Sequence, residues 1–137
     1  MKKLLLLLLL IPSMLSANVA TAVAMRGETF ADDRILSQGD EVAVGEHIIT
    51  TEKSFVVLQF TDGSKITVRP NSEMIVKDYE YPGTDSGVQV DLVSGGLRIL
   101  TGAISKSNPE NYKISTPTAL MGVRGTEFSI QYVERIE

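Results

Sequence analysis

The chain has 137 residues, of which 13 are Lys or Arg and 17 are Asp or Glu, so its net charge at pH 7 is −4. It contains no cysteine, which excludes disulfide bonds and thiolate metal sites. An acidic chain without a basic cluster is also poorly suited to nucleic acid or to an anionic membrane surface, because both are bound by clustered Lys and Arg.

The amino terminus has the layout of a secretory signal peptide. Two lysines precede an unbroken apolar run at residues 4–11, and small residues follow further along. The run is too short to cross a bilayer, which takes about 20 apolar residues. We predict a signal peptide over residues 1–24, cleaved after Ala22 or Ala24, which leaves no membrane span. The mature domain, residues 25–137, is then periplasmic or secreted.

Beyond residue 24, turn signals recur between short apolar segments at a spacing of about 8–12 residues, which is typical of an all-β domain. No segment has helical periodicity over a useful length. The predicted fold is a single small domain of short antiparallel strands, arranged as a β-sandwich or roll. A short β-solenoid is the alternative, because residues 58–68 and 90–99 have similar strand, glycine turn, strand patterns.

The clearest predicted element is a β-hairpin. Residues 55–60 are almost continuously apolar, as in a buried strand, and residues 65–69 alternate between apolar and polar. Asp62 and Gly63 lie between them and predict a tight reversal.

Two further strands are predicted at residues 74–76 and 88–92. We expect Gly95 and Gly96 to reverse the chain after the second of them, so that residues 97–99 form a returning strand.

The densest turn chemistry lies at residues 116–128. Pro117 fixes one turn, and two glycines, Gly122 and Gly125, flank Arg124 before an alternating strand begins. We predict that both glycines lie where a side chain would clash. The residues predicted to define turns and strand starts, rather than to bind, are Asp62, Gly63, Gly95, Gly96, Pro117, Gly122, Gly125, Thr126 and Phe128.

Three residues are candidates for binding. The Arg124 guanidinium could reach a carboxylate, a phosphate or a backbone carbonyl of a partner, or it could fold back onto Glu127 or Asp91 and pin the turn. Tyr79 and Tyr81 are predicted to share one strand face, where they would stack on a sugar ring or peptide, or else cover the end of the core.

Catalytic groups are few. His47 is the only histidine, so neither a transition-metal site nor a histidine-activated serine site is expected, and no cofactor is predicted. Adjacent carboxylates such as Asp32 and Asp33 lack the spacing of a calcium loop. A carboxylate pair contributed by separate strands, as in a glycoside hydrolase, stays open.

The mature chain resembles the FecR family domain of exported bacterial proteins over residues 36–132. The matching elements, in family order, are Gly39-Asp40, Val44-Gly45-Glu46, Ile48-Ile49-Thr50-Thr51, Phe60-Thr61-Asp62-Gly63-Ser64-Lys65-Ile66, Leu92-Val93-Ser94-Gly95-Gly96-Leu97, Thr116-Pro117-Thr118-Ala119 and Val123-Arg124-Gly125-Thr126-Glu127-Phe128. Each element alone is a turn between strands, and their order makes the resemblance specific.

The family's best-understood members are transmembrane iron-uptake regulators. They control a sigma factor from the cytoplasm, and their external domain receives a signal from an outer-membrane transporter. In this chain a predicted signal peptide stands in place of the regulatory segment and the membrane span. The resemblance therefore implies only the extracytoplasmic part, which is an all-β module that binds a partner or ligand and carries no known catalytic residue.

We therefore predict a non-catalytic binding module of the bacterial envelope that recognises a protein, peptide or glycan. One alternative is a carboxylate-based hydrolase that acts on envelope polysaccharide. Another is a signalling accessory to outer-membrane transport.

Overall fold

A computed structural model describes residues 18–133, and within them the regular secondary structure is almost entirely β-strand. The twelve strands, β1 to β12 in chain order, are Asn18–Arg26, Thr29–Ala31, Arg34–Ile35, Glu41–Ala43, His47–Thr50, Phe55–Phe60, Lys65–Val68, Glu73–Glu80, Gly87–Leu100, Tyr112–Ser115, Leu120–Gly122 and Glu127–Tyr132. A short helix α1, Ala103–Ser107, and a 3-10 turn, Pro109–Asn111, separate β9 from β10. The prediction of one small all-β domain is confirmed.

The strands form one curled sheet whose two halves share β9. The first half has the strand order β4-β1-β6-β7-β9-β12, and the second half has the order β3-β2-β5-β8-β9-β10-β11. All pairs are antiparallel except β9 with β10, which are parallel and are joined through α1 and the 3-10 turn. The domain is therefore a roll and not a short β-solenoid.

Strand β9 belongs to both halves of the sheet. It continues through Gly95 and Gly96, where the sequence predicted that the chain would reverse. Its first part pairs with β8 as far as Ser94, and its last part pairs with β12 from Gly95 onward. Gly95 has a φ of +84°, so this residue bends the strand without ending it. The predicted turn at Gly95 and Gly96 is wrong, and the apparent repeat of the hairpin pattern disappears with it.

The predicted hairpin is confirmed. Strands β6 and β7 pair from Val56 with Val68 to Gln59 with Lys65. The core fills the inside of the curl with side chains from both halves. Its largest fully buried members include Tyr112, Ile48, Leu58, Ile66, Met74, Leu92, Leu97, Ile99, Ile104 and Ile114.

Strand β1 was not predicted, because all its residues except Met25 and Arg26 fall within the expected signal peptide. It lies between β6 and β4, and Val19, Ala20 and Ala22 are buried in the core. A cut after Ala22 or Ala24 would remove most of this strand, and both cleavage sites stay predictions. Residues 1–17 of the predicted signal peptide lie outside the described residues.

Candidate binding surface

A buried carboxylate, Asp62, holds two parts of the domain together. One of its oxygens, Oδ1, accepts hydrogen bonds from the Ser64 amide at 3.1 Å and the Ser64 hydroxyl at 2.7 Å. The other, Oδ2, accepts from the Ile104 amide of α1 at 3.3 Å. The Asp62 carbonyl also accepts from the Ala103 amide at 2.9 Å. These bonds fix the β6–β7 turn against the helix.

Replacing Asp62 with alanine is expected to lower the free energy of unfolding by about 2–3 kcal/mol. The change leaves the buried amides of Ser64 and Ile104 without their acceptor, and each unpaired buried donor costs about 1–3 kcal/mol. Urea denaturation measures the loss. Asp85→Ala is the control, since it removes one carboxylate from an exposed loop. Equal stability of the two variants would contradict a structural role for Asp62.

Tyr79 belongs to the same network. Its hydroxyl accepts from the Asp62 amide at 3.0 Å and shares a hydrogen bond with Thr61 Oγ1 at 2.9 Å. Its ring packs against Phe60, with 5.5 Å between the ring centroids. Burial raises the pKa of the Tyr79 hydroxyl, and the hydrogen bond with Thr61 partly opposes this effect. Both ends of the side chain are therefore engaged within the domain.

The three candidate binding residues are not brought together. Tyr81 is 37% exposed and follows the end of β8. Arg124 lies between β11 and β12, and two strands, β9 and β10, separate β8 from β11. Arg124 is exposed and makes no hydrogen bond or ion pair within residues 18–133. The expected intramolecular acids are paired elsewhere, Glu127 with Arg98 at 2.7 Å and Asp91 with Lys77 at 3.7 Å.

The beginning of segment 116–128 is a tight hairpin turn between β10 and β11. The Thr116 amide donates to the Ala119 carbonyl at 2.8 Å, and the Thr116 hydroxyl accepts from the Ala119 amide at 3.1 Å. Pro117 occupies this turn. Strand β11 then pairs with β10 on one side only, so its outer edge has no strand partner within the described residues.

The rest of the segment carries the chain from the second half of the sheet to the first. Val123 is buried, and its amide donates to the Tyr112 carbonyl at 2.9 Å. Beyond Arg124, the Gly125 carbonyl accepts from the Thr101 hydroxyl at 2.6 Å. Arg124 therefore lies in an exposed connection between the two halves of the sheet. The hydrogen bonds of Val123 and Gly125 hold this connection in place on either side of Arg124.

The predicted clash at the two flanking glycines is wrong. A Cβ added at Gly122 or at Gly125 would meet no atom within 4 Å. Gly125 has a φ of +93°, so its requirement for glycine comes from backbone conformation. Gly122 lies in strand β11, where neither a steric clash nor a positive φ requires glycine.

An outward-facing patch lies beside the hairpin. Leu120 pairs with Ser115, and Ser115 pairs with Asp91, so the three side chains share one face of the sheet. Val93, two residues after Asp91 on β9, is also exposed. A hollow of about 220 Å³ is lined in part by Asp91, Val93, Ser115 and Pro117. We call Asp91, Val93, Ser115, Pro117 and Leu120 the hairpin face. Of these residues, the sequence predicted Pro117 as a turn residue and Asp91 as a possible partner of Arg124, and it did not predict that they share a surface.

A second hollow, of about 230 Å³, is acidic. Its lining includes Asp78, Glu80 and Asp85, together with Lys113 from β10. All three carboxylates are exposed to solvent. Within residues 18–133, no group of three His, Asp or Glu side chains is placed to hold a metal ion. His47 is exposed and lies 3.1 Å from Glu73 through its Nδ1 atom.

Comparison with known protein families identifies the family to which the chain belongs. The model of the FecR family, described as FecR protein, matches residues 46–136, which is more than half of the sequence. The chain therefore belongs to the FecR family, as the resemblance predicted, and this family is associated with signalling at the cell envelope. No curated protein and no solved structure matches the chain. In the described part of the chain, no helix has the length and apolarity to span a membrane.

Proposed function

We propose that this chain is an exported, non-catalytic binding module of the bacterial envelope, and that its hairpin face holds an extended segment of a partner protein. The observation that carries the proposal is Leu120. This large apolar side chain is 63% exposed, on a strand whose outer edge has no strand partner within the described residues.

An open strand edge and an apolar side chain together suit an extended peptide. The outer edge of β11 offers backbone N–H and C=O groups, and an incoming strand can pair with them. The hollow beside Val93 and Pro117 would take a side chain of that strand. Arg124 follows closely, has no partner among residues 18–133, and would meet a carboxylate of the partner protein. Affinity would come from the backbone pairing and specificity from the hollow and Arg124.

A protein partner is better supported than a glycan. Sugar rings stack on exposed aromatic faces, and Tyr79 is occupied by Phe60 and Asp62. Tyr81 offers one partly exposed ring. A role as a signalling accessory to outer-membrane transport is compatible with the same surface, since that role also requires a protein partner. Membership of the FecR family supports an envelope setting for this partner.

The proposed absence of catalysis rests on the carboxylates of the acidic hollow. A general acid that works near neutral pH needs a carboxyl group withdrawn from solvent, because burial disfavours the charged form. Asp78, Glu80 and Asp85 are exposed instead. Their positions support a solvated surface more than a hydrolase site.

The test compares two single substitutions at opposite edges of the second half of the sheet. Leu120 lies on β11, and Ile35, which is 62% exposed, lies on β3 at the other end. Tagged wild-type, Leu120→Lys and Ile35→Lys proteins are cross-linked in intact cells, and the captured envelope proteins are compared. We expect Leu120→Lys to reduce capture of one protein at least about tenfold, as for a central interface residue, and Ile35→Lys to leave it unchanged.

Circular dichroism first establishes that both variants are folded. Equal capture by wild type and Leu120→Lys would refute the hairpin face as the binding site. The absence of any specifically captured protein from the wild type would refute the binding function itself.

A further inference from the structure

Strand β1 is the first strand of the described residues, and it is built into the sheet. It pairs with β6 from Ala20 opposite Phe60 to Arg26 opposite Phe55, and with β4 on its other side. The Ala22 amide donates to the Asp40 carbonyl at 2.9 Å, and the Ala22 carbonyl accepts from the Gly39 amide at 2.8 Å. Residues 18–26 are thus an interior strand of the sheet.

This position explains the small residues that resemble cleavage sites. Ala20 and Ala22 are buried between the strands and the core, where larger side chains would have to displace their neighbours. The alternation of small side chains at these positions therefore has a packing reason. A peptidase that cut after Ala22 or Ala24 would remove the residues that close this side of the roll.

We infer that the signal peptide is removed between Ala17 and Asn18. This inference rests on the export that is part of the proposed function. Ala17 supplies a small residue just before the cut, and it lies six residues after the end of the apolar run. Leu15 occupies the other position that is usually small, so Ala17 alone meets the small-residue pattern. The resulting signal peptide has 17 residues, within the usual range of about 15–30.

The reaction is hydrolysis by an export-linked peptidase. One water molecule is consumed as the amide bond between Ala17 and Asn18 breaks, which leaves a carboxylate on Ala17 and a free α-amino group on Asn18. Asn18 is exposed at the start of β1, and its side-chain amide donates to Glu41 Oε2 at 2.6 Å. The new positive charge would therefore be solvated and close to an acidic side chain.

Intact mass and amino-terminal sequencing test the inference. The full chain with a carboxyl-terminal tag is expressed in a Gram-negative host, and the exported protein is purified. We expect a single species that begins at Asn18. A species beginning at Val23 or Met25 would overturn the inference and leave export standing. A species that keeps residues 1–17, recovered from the cytoplasm, would overturn both.

Two matched substitutions identify the cleaved bond independently. Ala17→Leu places a large residue before the inferred cut, and the uncleaved precursor should rise at least about tenfold. Ala24→Leu makes the same change at an exposed position of β1, and processing should be unaffected. The opposite pattern, with a block by Ala24→Leu alone, would overturn the inference.

Discussion

A chain that begins at Met25 is expected to lose its cooperative fold, whereas a chain that begins at Asn18 keeps it. Without residues 18–24, only Met25 and Arg26 still pair with β6. Strand β4 has no other partner in the described sheet, so it detaches as well. Small domains are stable by only about 5–15 kcal/mol, and the loss of an interior strand with three buried side chains removes much of that margin.

The two chains are compared by thermal denaturation, followed by far-ultraviolet circular dichroism. The Asn18 chain should show one sharp transition, and the Met25 chain should show a broad transition or none. The exposed edge of β6 should also promote association through strand pairing, which size-exclusion chromatography would detect. A melting temperature within a few degrees of the Asn18 chain would show that β1 contributes little.

The β6–β7 hairpin was predictable because its determinants are local. The apolar run at residues 55–60, the alternation after residue 64 and the Asp62-Gly63 pair all lie within residues 55–69, and they agree with one another. Strand β1 was missed for the opposite reason. Its alanines face a core that is built from distant strands, and small residues near the amino terminus of an exported protein also satisfy a peptidase.

The proposed binding surface could be predicted only in part from the sequence. Segment 116–128 was correctly singled out for its turn chemistry, and Arg124 is exposed at the crossing between the two halves of the sheet. The hairpin face, however, depends on the parallel pairing of β9 with β10, which places Asp91 beside Ser115. Parallel pairing joins residues that are distant in the chain, so no local pattern indicates it.

Tyr79 is a second example of a contact between distant residues that no local sequence pattern indicates. Alternation predicted that Tyr79 and Tyr81 share a strand face, but β8 ends just before Tyr81. Nor could it show that the Tyr79 hydroxyl meets the Asp62 amide, 17 positions away. Asp62 was assigned to a turn from its neighbour Gly63, and the turn does contain it. Its bond to the Ile104 amide spans 42 positions and has no sequence signature.

Substitution of Gly95 by alanine is expected to lower the free energy of unfolding by about 2–5 kcal/mol, one of the largest effects of any single change in this domain. The φ of +84° disfavours an L side chain by about 1–2 kcal/mol. A Cβ would also lie 2.6 Å from Ser72 Cα, and this backbone atom cannot move without shifting the start of β8. Such overpacking adds about 1–3 kcal/mol.

Gly63→Ala separates the two causes. Gly63 has nearly the same φ, +87°, but a Cβ there would meet no atom within 4 Å. Urea denaturation should therefore show a loss of only about 1–2 kcal/mol for Gly63→Ala. The excess loss in Gly95→Ala then measures the contact with Ser72, where the Gly96 amide donates to the serine hydroxyl at 2.9 Å. Equal losses of unfolding free energy in the two variants would mean that Ser72 and the start of β8 move aside at little cost. Backbone conformation alone would then require glycine at the bend of β9.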